Sequence, residues 1–349
     1  MTVDPLKPVW VFGTGSFGRA VASALTAHGF EVRGYAQTAP TVTEVDGRPV
    51  QPLAALPADV QLVFGIFNRE TPYDSLVKTC NKAGLHKLFM PWDIYGLLSK
   101  QLGWRYWLAD PALFEANQTR IDAIAKVLAD EESRTTYSRI IQFRSGRDLN
   151  YASFRHDEPQ YFNQLTLPSR GHFDGCYVDC GAYDGDTYVQ FLSHVKNPTR
   201  AFLLEPDSNN YSKLVERTHT LKLDVTCLPL AVAEDMRTIR FSETGGESSF
   251  ADKDGTVVVQ AVALDQLLAN QKVSFLKLDV EGGENAALVG ARSIIARDRP
   301  VIAMSLYHRP NDLWALPEML LEYCHDYLFY IRQHYFNSFD SVLYAVPRS

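Results

Sequence analysis

The sequence predicts an α/β protein built from two doubly wound parallel sheets joined by a helical connector. Three observations carry this. Short apolar runs of strand type alternate with helix-compatible segments over residues 1–108, a purely helical stretch occupies 109–172, and the alternation restarts over 173–349. A chain of 349 residues is also long enough for two cores at roughly 150 residues per domain.

The elements follow in order. Val9 to Phe12 is an apolar run that breaks into Gly13, Gly15 and Gly18. A helix-like stretch, Arg19 to His28, comes next, then Gly29 and the strand-like Phe30 to Tyr35, which completes one β-α-β unit. Gln61 to Phe67 reads as a strand, Tyr73 to Ala83 as a helix stopped by Gly84, and Lys87 to Met90 as a short strand ended by Pro91. Asp110-Pro111 is a helix N-cap followed by the proline favoured at the first helical position. Behind it Phe114, Ile121, Ile124 and Leu128 recur as one helical stripe. Tyr137, Ile140 and Ile141 mark a second helix after Asp130-Glu131-Glu132, and the polar Arg144 to Arg170 completes the connector. In the second half, strand-like runs at Tyr177 to Cys180, Ala201 to Leu204, Val225 to Pro229, Ser274 to Leu278 and Val301 to Leu306 are separated by helix-compatible segments. Leu328 to Arg332 and Val342 to Val346 close the chain, joined by a loop too short for a crossover helix, which predicts an antiparallel edge.

Composition excludes several function classes. With 46% hydrophobic and 21% charged residues the chain folds rather than staying disordered. A net charge of -7 provides no positive field for phosphate backbones or anionic lipid, so nucleic acid is not an expected partner. Nowhere do ~18 uninterrupted apolar residues occur, and no basic-then-apolar leader opens the sequence, so no membrane span and a cytoplasmic location are expected. Five scattered cysteines without a CxxC fit reduced thiols better than disulfides or zinc. The sequence leaves self-association into a homo-oligomer open.

Two glycine-rich loops follow strands. Gly13-Thr14-Gly15-Ser16-Phe17-Gly18 is a GxGxxG, which suits a nucleotide or nucleotide-sugar phosphate at a helix N-terminus, or simply close packing of strand and helix. A dinucleotide site needs an acid at the end of the next strand, and Arg33-Gly34-Tyr35-Ala36-Gln37 has none. The second loop, Asp179-Cys180-Gly181-Ala182-Tyr183-Asp184-Gly185-Asp186-Thr187, does have its acid. Glu205-Pro206 caps the following strand and can accept hydrogen bonds from both hydroxyls of a ribose. A third motif, Lys277-Leu278-Asp279-Val280-Glu281-Gly282-Gly283-Glu284, ends a later strand at the same edge of the sheet. Asp279 directly follows the apolar run and is placed to face the cleft, whereas Glu284 reads equally as a solvated helix cap.

In their order and spacing these residues resemble the FkbM-type S-adenosylmethionine-dependent methyltransferases. The resemblance spans Cys176 to Val346, about half the chain. It rests on Asp179-x-Gly181-Ala182-x-x-Gly185-Asp186-Thr187, on Glu205-Pro206-Asp207 with Asn210, on Leu264-Asp265, and on Lys277-x-Asp279-x-Glu281-Gly282-x-Glu284. The stretch from Tyr307-His308-Arg309-Pro310 to Asp312-Leu313-Trp314 adds to it. Tyr183 departs from the pattern, since many members carry asparagine there. The resemblance implies a class I methyltransferase fold with an antiparallel C-terminal strand pair, preceded here by a Rossmann-like domain. It further implies that Asp179, Gly181, Ala182, Tyr183 and Gly185 surround the methionine part of S-adenosyl-L-methionine, with Thr187 nearby. Glu205 would hold the ribose, Pro206 and Asn210 would lie beside it, and Ala231 near the adenine.

Methylating a hydroxyl needs positioning first and a general base second. The candidates for the base are Asp279 and His308, with Glu281 behind them. A histidine beside a proline reads equally as a loop or capping residue. A divalent metal across Asp279, His308 and Asp312 would lower the pKa of a bound hydroxyl, but no spacing requires one and none is expected. Aromatic residues gather toward the C-terminus, from Tyr307 and Trp314 to Tyr344, most of them suited to a core and a few to stacking on a sugar ring. The expected activity is O-methylation of a sugar hydroxyl in a glycan, polysaccharide or nucleotide-linked sugar. Two other readings stand beside it: a nucleotide-sugar-modifying enzyme or oxidoreductase working from the Gly13–Gly18 loop, and a non-catalytic methyltransferase-like scaffold.

Overall fold

The computed structural model describes residues 3–150, 156–167, 173–195, 200–221, 223–242, 250–251 and 255–348. Two units make up the chain. One comprises Met1–Arg120, Thr135–Arg155 and Tyr335–Phe339, the other Ile121–Arg134, His156–His334 and Asp340–Ser349. The expected connector, 109–172, is thus shared between them, and of its polar tail residues 151–155 and 168–172 lie outside the described residues.

The first unit holds a six-stranded sheet of β1 (Val9–Phe12), β2 (Val32–Gln37), β3 (Glu44–Val45), β4 (Arg48–Pro52), β5 (Gln61–Phe64) and β6 (Leu88–Phe89). Its order is β3-β4-β2-β1-β5-β6, parallel throughout except for the β3–β4 hairpin. Helices α1 (Ser16–Ala27), α2 (Tyr73–Lys82) and α3 (Pro91–Leu102) accompany it, and Val21 and Leu25 of α1 share a core with Val9, Val11 and Leu98. α1 begins at Ser16 rather than Arg19, so Gly18 lies inside its first turn. A Cβ on Gly18 would stand 2.2 Å from the Gly13 carbonyl, and one on Gly13 2.7 Å from Ile66 Cγ1, whereas one on Gly15 would meet nothing within 4 Å. Close packing, of α1 on the Gly13 carbonyl and of Gly13 on the loop after β5, therefore accounts for two of the three glycines.

The stripe of Phe114, Ile121, Ile124 and Leu128 is not one helix. It breaks at Asn117 into α4 (Ala112–Ala116) and α5 (Gln118–Val127), because Asn117 turns its side-chain amide back to donate to the Leu113 carbonyl at 2.8 Å. α6 (Glu131–Arg144) starts where expected, with Asp130 Oδ1 accepting the Ser133 N–H at 2.8 Å.

The second unit is built on β7 (Cys176–Cys180), α7 (Asp186–His194), β8 (Ala201–Leu204), α8 (Ser208–Thr218) and β9 (Val225–Leu228). Between β9 and the next strand of this sheet lie β10 (Ala231–Val232), β11 (Arg237–Ser242), β12 (Phe250–Ala251), β13 (Val257–Val262) and α9 (Leu264–Leu267). Then follow β14 (Val273–Leu278), α10 (Glu284–Gly290), α11 (Arg292–Asp298), β15 (Val301–Ser305), α12 (Asp312–Tyr323), β16 (Tyr327–Gln333) and β17 (Ser341–Pro347). The main sheet runs β16-β17-β15-β14-β7-β8-β9, with β7, β8, β9, β14 and β15 mutually parallel. β16 and β17 form the antiparallel pair, but β17 inserts between β15 and β16, so it alone runs against the others. The residues between β9 and β14, expected to be helical, instead form a second sheet of order β10-β13-β11-β12. The signal was the β-branched run Val257-Val258-Val259 in β13, whose uniform apolar character hides the alternating exposure the strand takes.

Tyr177, Phe191 and Phe275 stack beneath the main sheet, with the Tyr177 and Phe191 rings 4.4 Å apart. Because β7, β8, β14 and β15 are parallel, the loops that leave them share one edge. Among the described residues no helix is long and apolar enough to cross a membrane.

The glycine geometry predicts a paired result in the first unit. Gly18→Ala should destabilise the protein by about 1–3 kcal/mol through overpacking, while Gly15→Ala should leave stability within about 0.5 kcal/mol, both read by urea unfolding.

Candidate active site

The site grows from two adjacent strands. After the fully buried β7, Gly181 takes φ +80° and donates its N–H to the Leu204 carbonyl at 3.0 Å. A Cβ at Gly181 would stand 1.9 Å from the Asp279 carbonyl, so this loop and the end of β14 meet at a distance that only glycine permits. Tyr183 and Gly185 also hold positive φ, at +49° and +84°, which curls the loop before α7. Lys277, 2% exposed in β14, fixes the arrangement: its ammonium donates to Asp179 Oδ1 at 2.8 Å and to the Gly181 carbonyl at 2.9 Å. The second Asp179 oxygen accepts the Tyr177 hydroxyl at 2.8 Å. Burial opposes the charge on Lys277, but Asp179 and Asp279 outweigh it and hold the ammonium above the ordinary lysine range.

Glu205 follows β8 and is 6% exposed. Its Oε2 accepts the Tyr183 N–H and its Oε1 the Asp207 N–H, each at 2.9 Å. Burial pushes this carboxyl up to about 7 against the pull of those two donors. Each oxygen keeps a second lone pair, so the carboxylate can still accept from a pair of hydroxyls.

The third group lies after β14 and β15. Asp279 accepts the Tyr161 hydroxyl at 2.9 Å and the Tyr307 hydroxyl at 3.3 Å. His308, fully buried, places Nδ1 2.7 Å from Glu284 Oε1 and Nε2 3.5 Å from both Asp279 Oδ1 and Glu281 Oε1. Burial works against an imidazolium here, but Glu284 and Glu281 overcome it and hold the ring well above the ordinary histidine range. Their charges thus favour the protonated ring over the free base. Burial likewise drives the Glu281 carboxyl up, while at Asp279 the cations Lys277 and His308 overcome burial and hold the carboxyl low.

Asp279, Glu281 and His308, the three residues read as catalytic, therefore meet in one cluster. Asp179 reaches the glycine loop through Lys277, and Tyr183 reaches Glu205 through its backbone. The remaining residues are placed less directly. Ala182 is buried beneath the loop, with its N–H on the Leu204 carbonyl at 3.0 Å. Thr187, in the first turn of α7, donates to Asp186 Oδ1. Pro206 precedes Asp207, whose Oδ1 caps α8 by accepting the N–H groups of Asn209 and Asn210. Ala231 belongs to β10, paired with Ala261 in the smaller sheet. Asp312, weighed as a metal ligand, instead closes a turn by accepting the Arg309 N–H at 2.7 Å.

Sequence reasoning left four contributors without a role. Lys277 carried a signal, a charge inside the otherwise apolar β14. Glu284 is no solvated cap, since it is 1% exposed and also accepts the Val280 N–H at 2.9 Å. Tyr307 stood in a quoted motif, and Tyr161, within the expected connector, offered no signal. In the first unit, Gln37 ends β2 where a dinucleotide site would have its acid, and donates to Thr14 Oγ1 at 2.8 Å.

The ion pair predicts a specific stability pattern. Lys277→Met strands Asp179 as a buried charge and should cost about 3–5 kcal/mol in urea unfolding, whereas adding Asp179→Asn to it should recover part of the loss.

Comparison with known proteins bears on this site. No curated protein matches the chain. A solved structure, methyltransferase FkbM from Methylobacillus flagellatus KT, is similar over 97% of this chain and 90% of its own, with 22% identity and a TM-score of 0.76. At that identity it establishes the fold. The family model described as "Methyltransferase FkbM domain" matches residues 179–337, which contain the glycine loop, Glu205 and the whole Asp279 cluster. Over residues 179–337 the chain is therefore similar to the FkbM methyltransferase domain.

Proposed function

We propose that this protein is an S-adenosyl-L-methionine-dependent O-methyltransferase acting on a sugar hydroxyl in a glycan, polysaccharide or nucleotide-linked sugar. The observation that carries the cofactor is Glu205, a buried carboxylate with one lone pair free on each oxygen. That chemistry fits the two hydroxyls of a ribose. The curled loop of Gly181, Tyr183 and Gly185, anchored through Lys277, would hold the amino-acid end of the same ligand. When bound, the cofactor supplies a methyl group on a positively charged sulfur.

The chain's own residues supply the rest. Asp279, kept ionised by Lys277 and His308 and fixed by two tyrosine hydroxyls, can accept a hydrogen bond from an acceptor hydroxyl. Glu281, its carboxyl driven up by burial, is the better proton acceptor of the two at neutral pH. His308 balances their charge. The sugar assignment rests on the frequent acceptors of the family that the sequence resembles.

Glu205 sets a pH dependence. Hydroxyls donate to the ionised carboxylate, which is lost as pH falls through about 7. Affinity for S-adenosylmethionine in calorimetric titration should therefore fall by up to about tenfold per pH unit below that point. Glu205→Gln should weaken binding and flatten the dependence. For the acceptor, labelled cofactor offered with a panel of glycans, nucleotide sugars and non-sugar alcohols should label the sugars. Label appearing only on non-sugar molecules overturns the sugar assignment.

A further inference from the structure

We propose that His308, Asp279 and Glu281 form a divalent-cation site, with Glu284 holding the imidazole in place. Four observations support it. First, Asp279 and His308, two of the three ligands, have donor atoms within 4.8 Å of each other and of Glu284, the residue that holds the ring. Second, the His308 Nε2 to Asp279 Oδ1 and Glu281 Oε1 separations, both 3.5 Å, exceed the range of a good hydrogen bond. They match the spacing of neighbouring ligands on one ion, which at bond lengths of about 2.0–2.2 Å stand about 3.0–3.5 Å apart. Third, the opposite ring nitrogen, Nδ1, sits 2.7 Å from Glu284 Oε1, which is itself fixed by the Val280 N–H. A carboxylate behind a histidine is the usual device for aiming the other ring nitrogen at a metal.

The fourth observation points to a missing ligand. Glu284 Oε2 and Glu281 Oε2 are buried and accept no hydrogen bond from any described residue. Glu284 is 1% exposed. Three carboxylates thus converge on one imidazole, with Lys277 already committed to Asp179, and a divalent ion that displaces the proton of the ring would balance more of their charge than the imidazolium does. One imidazole with carboxylates and no thiolate selects Mn²⁺, Fe²⁺, Co²⁺ or Zn²⁺ over the all-oxygen cations Ca²⁺ and Mg²⁺. In use, which rests on the methyl-transfer reading, such an ion would hold the acceptor oxygen and lower the pKa of its hydroxyl.

Binding can be read without turnover. The full chain, freed of metal and titrated with MnCl₂ at mildly alkaline pH, should deplete the free Mn²⁺ electron paramagnetic resonance signal with about one ion per chain. Glu281→Gln and His308→Ala should each weaken that binding by about 10–100-fold, with circular dichroism reporting whether each variant is folded. Should His308→Ala unfold, Glu284→Gln serves in its place. No depletion by the wild-type protein with Mn²⁺ up to about 1 mM overturns the site, as does binding that all the variants retain. Titrating S-adenosylmethionine into the same wild-type protein separates the two ideas. Cofactor binding without Mn²⁺ binding removes the cation and keeps the methyltransferase reading, and Mn²⁺ binding without cofactor binding does the reverse.

Discussion

One buried ammonium organises the second unit. Lys277 lies in β14 beside β7, donates to Asp179 on that neighbouring strand, and reaches past it to the carbonyl of Gly181. A buried ion pair yields little net stability, since desolvating both charges cancels most of their attraction. Its value is positional. Asp179 has a second anchor in the Tyr177 hydroxyl, whose ring is locked in the aromatic core, so the pair transmits the register of the sheet to the loop above it. The loop can then turn close over the Asp279 carbonyl, and that turn carries the Tyr183 N–H to Glu205.

Much of this was legible in the sequence, and what was not has physical reasons. Strands such as Ala201 to Leu204 were read to the residue because both faces are buried, and a continuous apolar run bounded by polar residues has little ambiguity. The smaller sheet was missed because its strands are half exposed: β11 mixes Arg, Thr and Ser with its apolar residues, and three consecutive valines in β13 do not reveal which side faces inward. The single helix read over Phe114 to Leu128 failed because periodicity records which side chains face a core, not whether the backbone runs on unbroken through Asn117. Within the cluster, Asp279, Glu281 and His308 lie on recognisable motifs, whereas Tyr161, which reaches Asp279 from a distant stretch of chain, carries no signal in the sequence.

The two acidic groups of the site differ in how their charge is balanced. Asp179 has one cation for one carboxylate, with every oxygen engaged, which suits a fixed scaffold. Around His308, three carboxylates share one ring: burial drives the Glu281 carboxyl up, while the charges of Glu284 and Glu281 lift the imidazole against its own burial.

The same contrast separates the two glycine loops. In the first unit Gly13 and Gly18 are required by the approach of strand and helix, and the next strand ends in Gln37, a neutral amide already spent partly on Thr14. In the second, Gly181 is equally required by packing, against the Asp279 carbonyl, so glycines alone distinguish neither loop as a ligand site. The difference lies one strand further on. Glu205 is ionisable, buried, held by two backbone donors and left with acceptor capacity to spare, whereas Gln37 has no charge to offer a pair of hydroxyls. Strand-loop-helix geometry is common to both units, and the acid at the end of the second strand is what sets one of them apart.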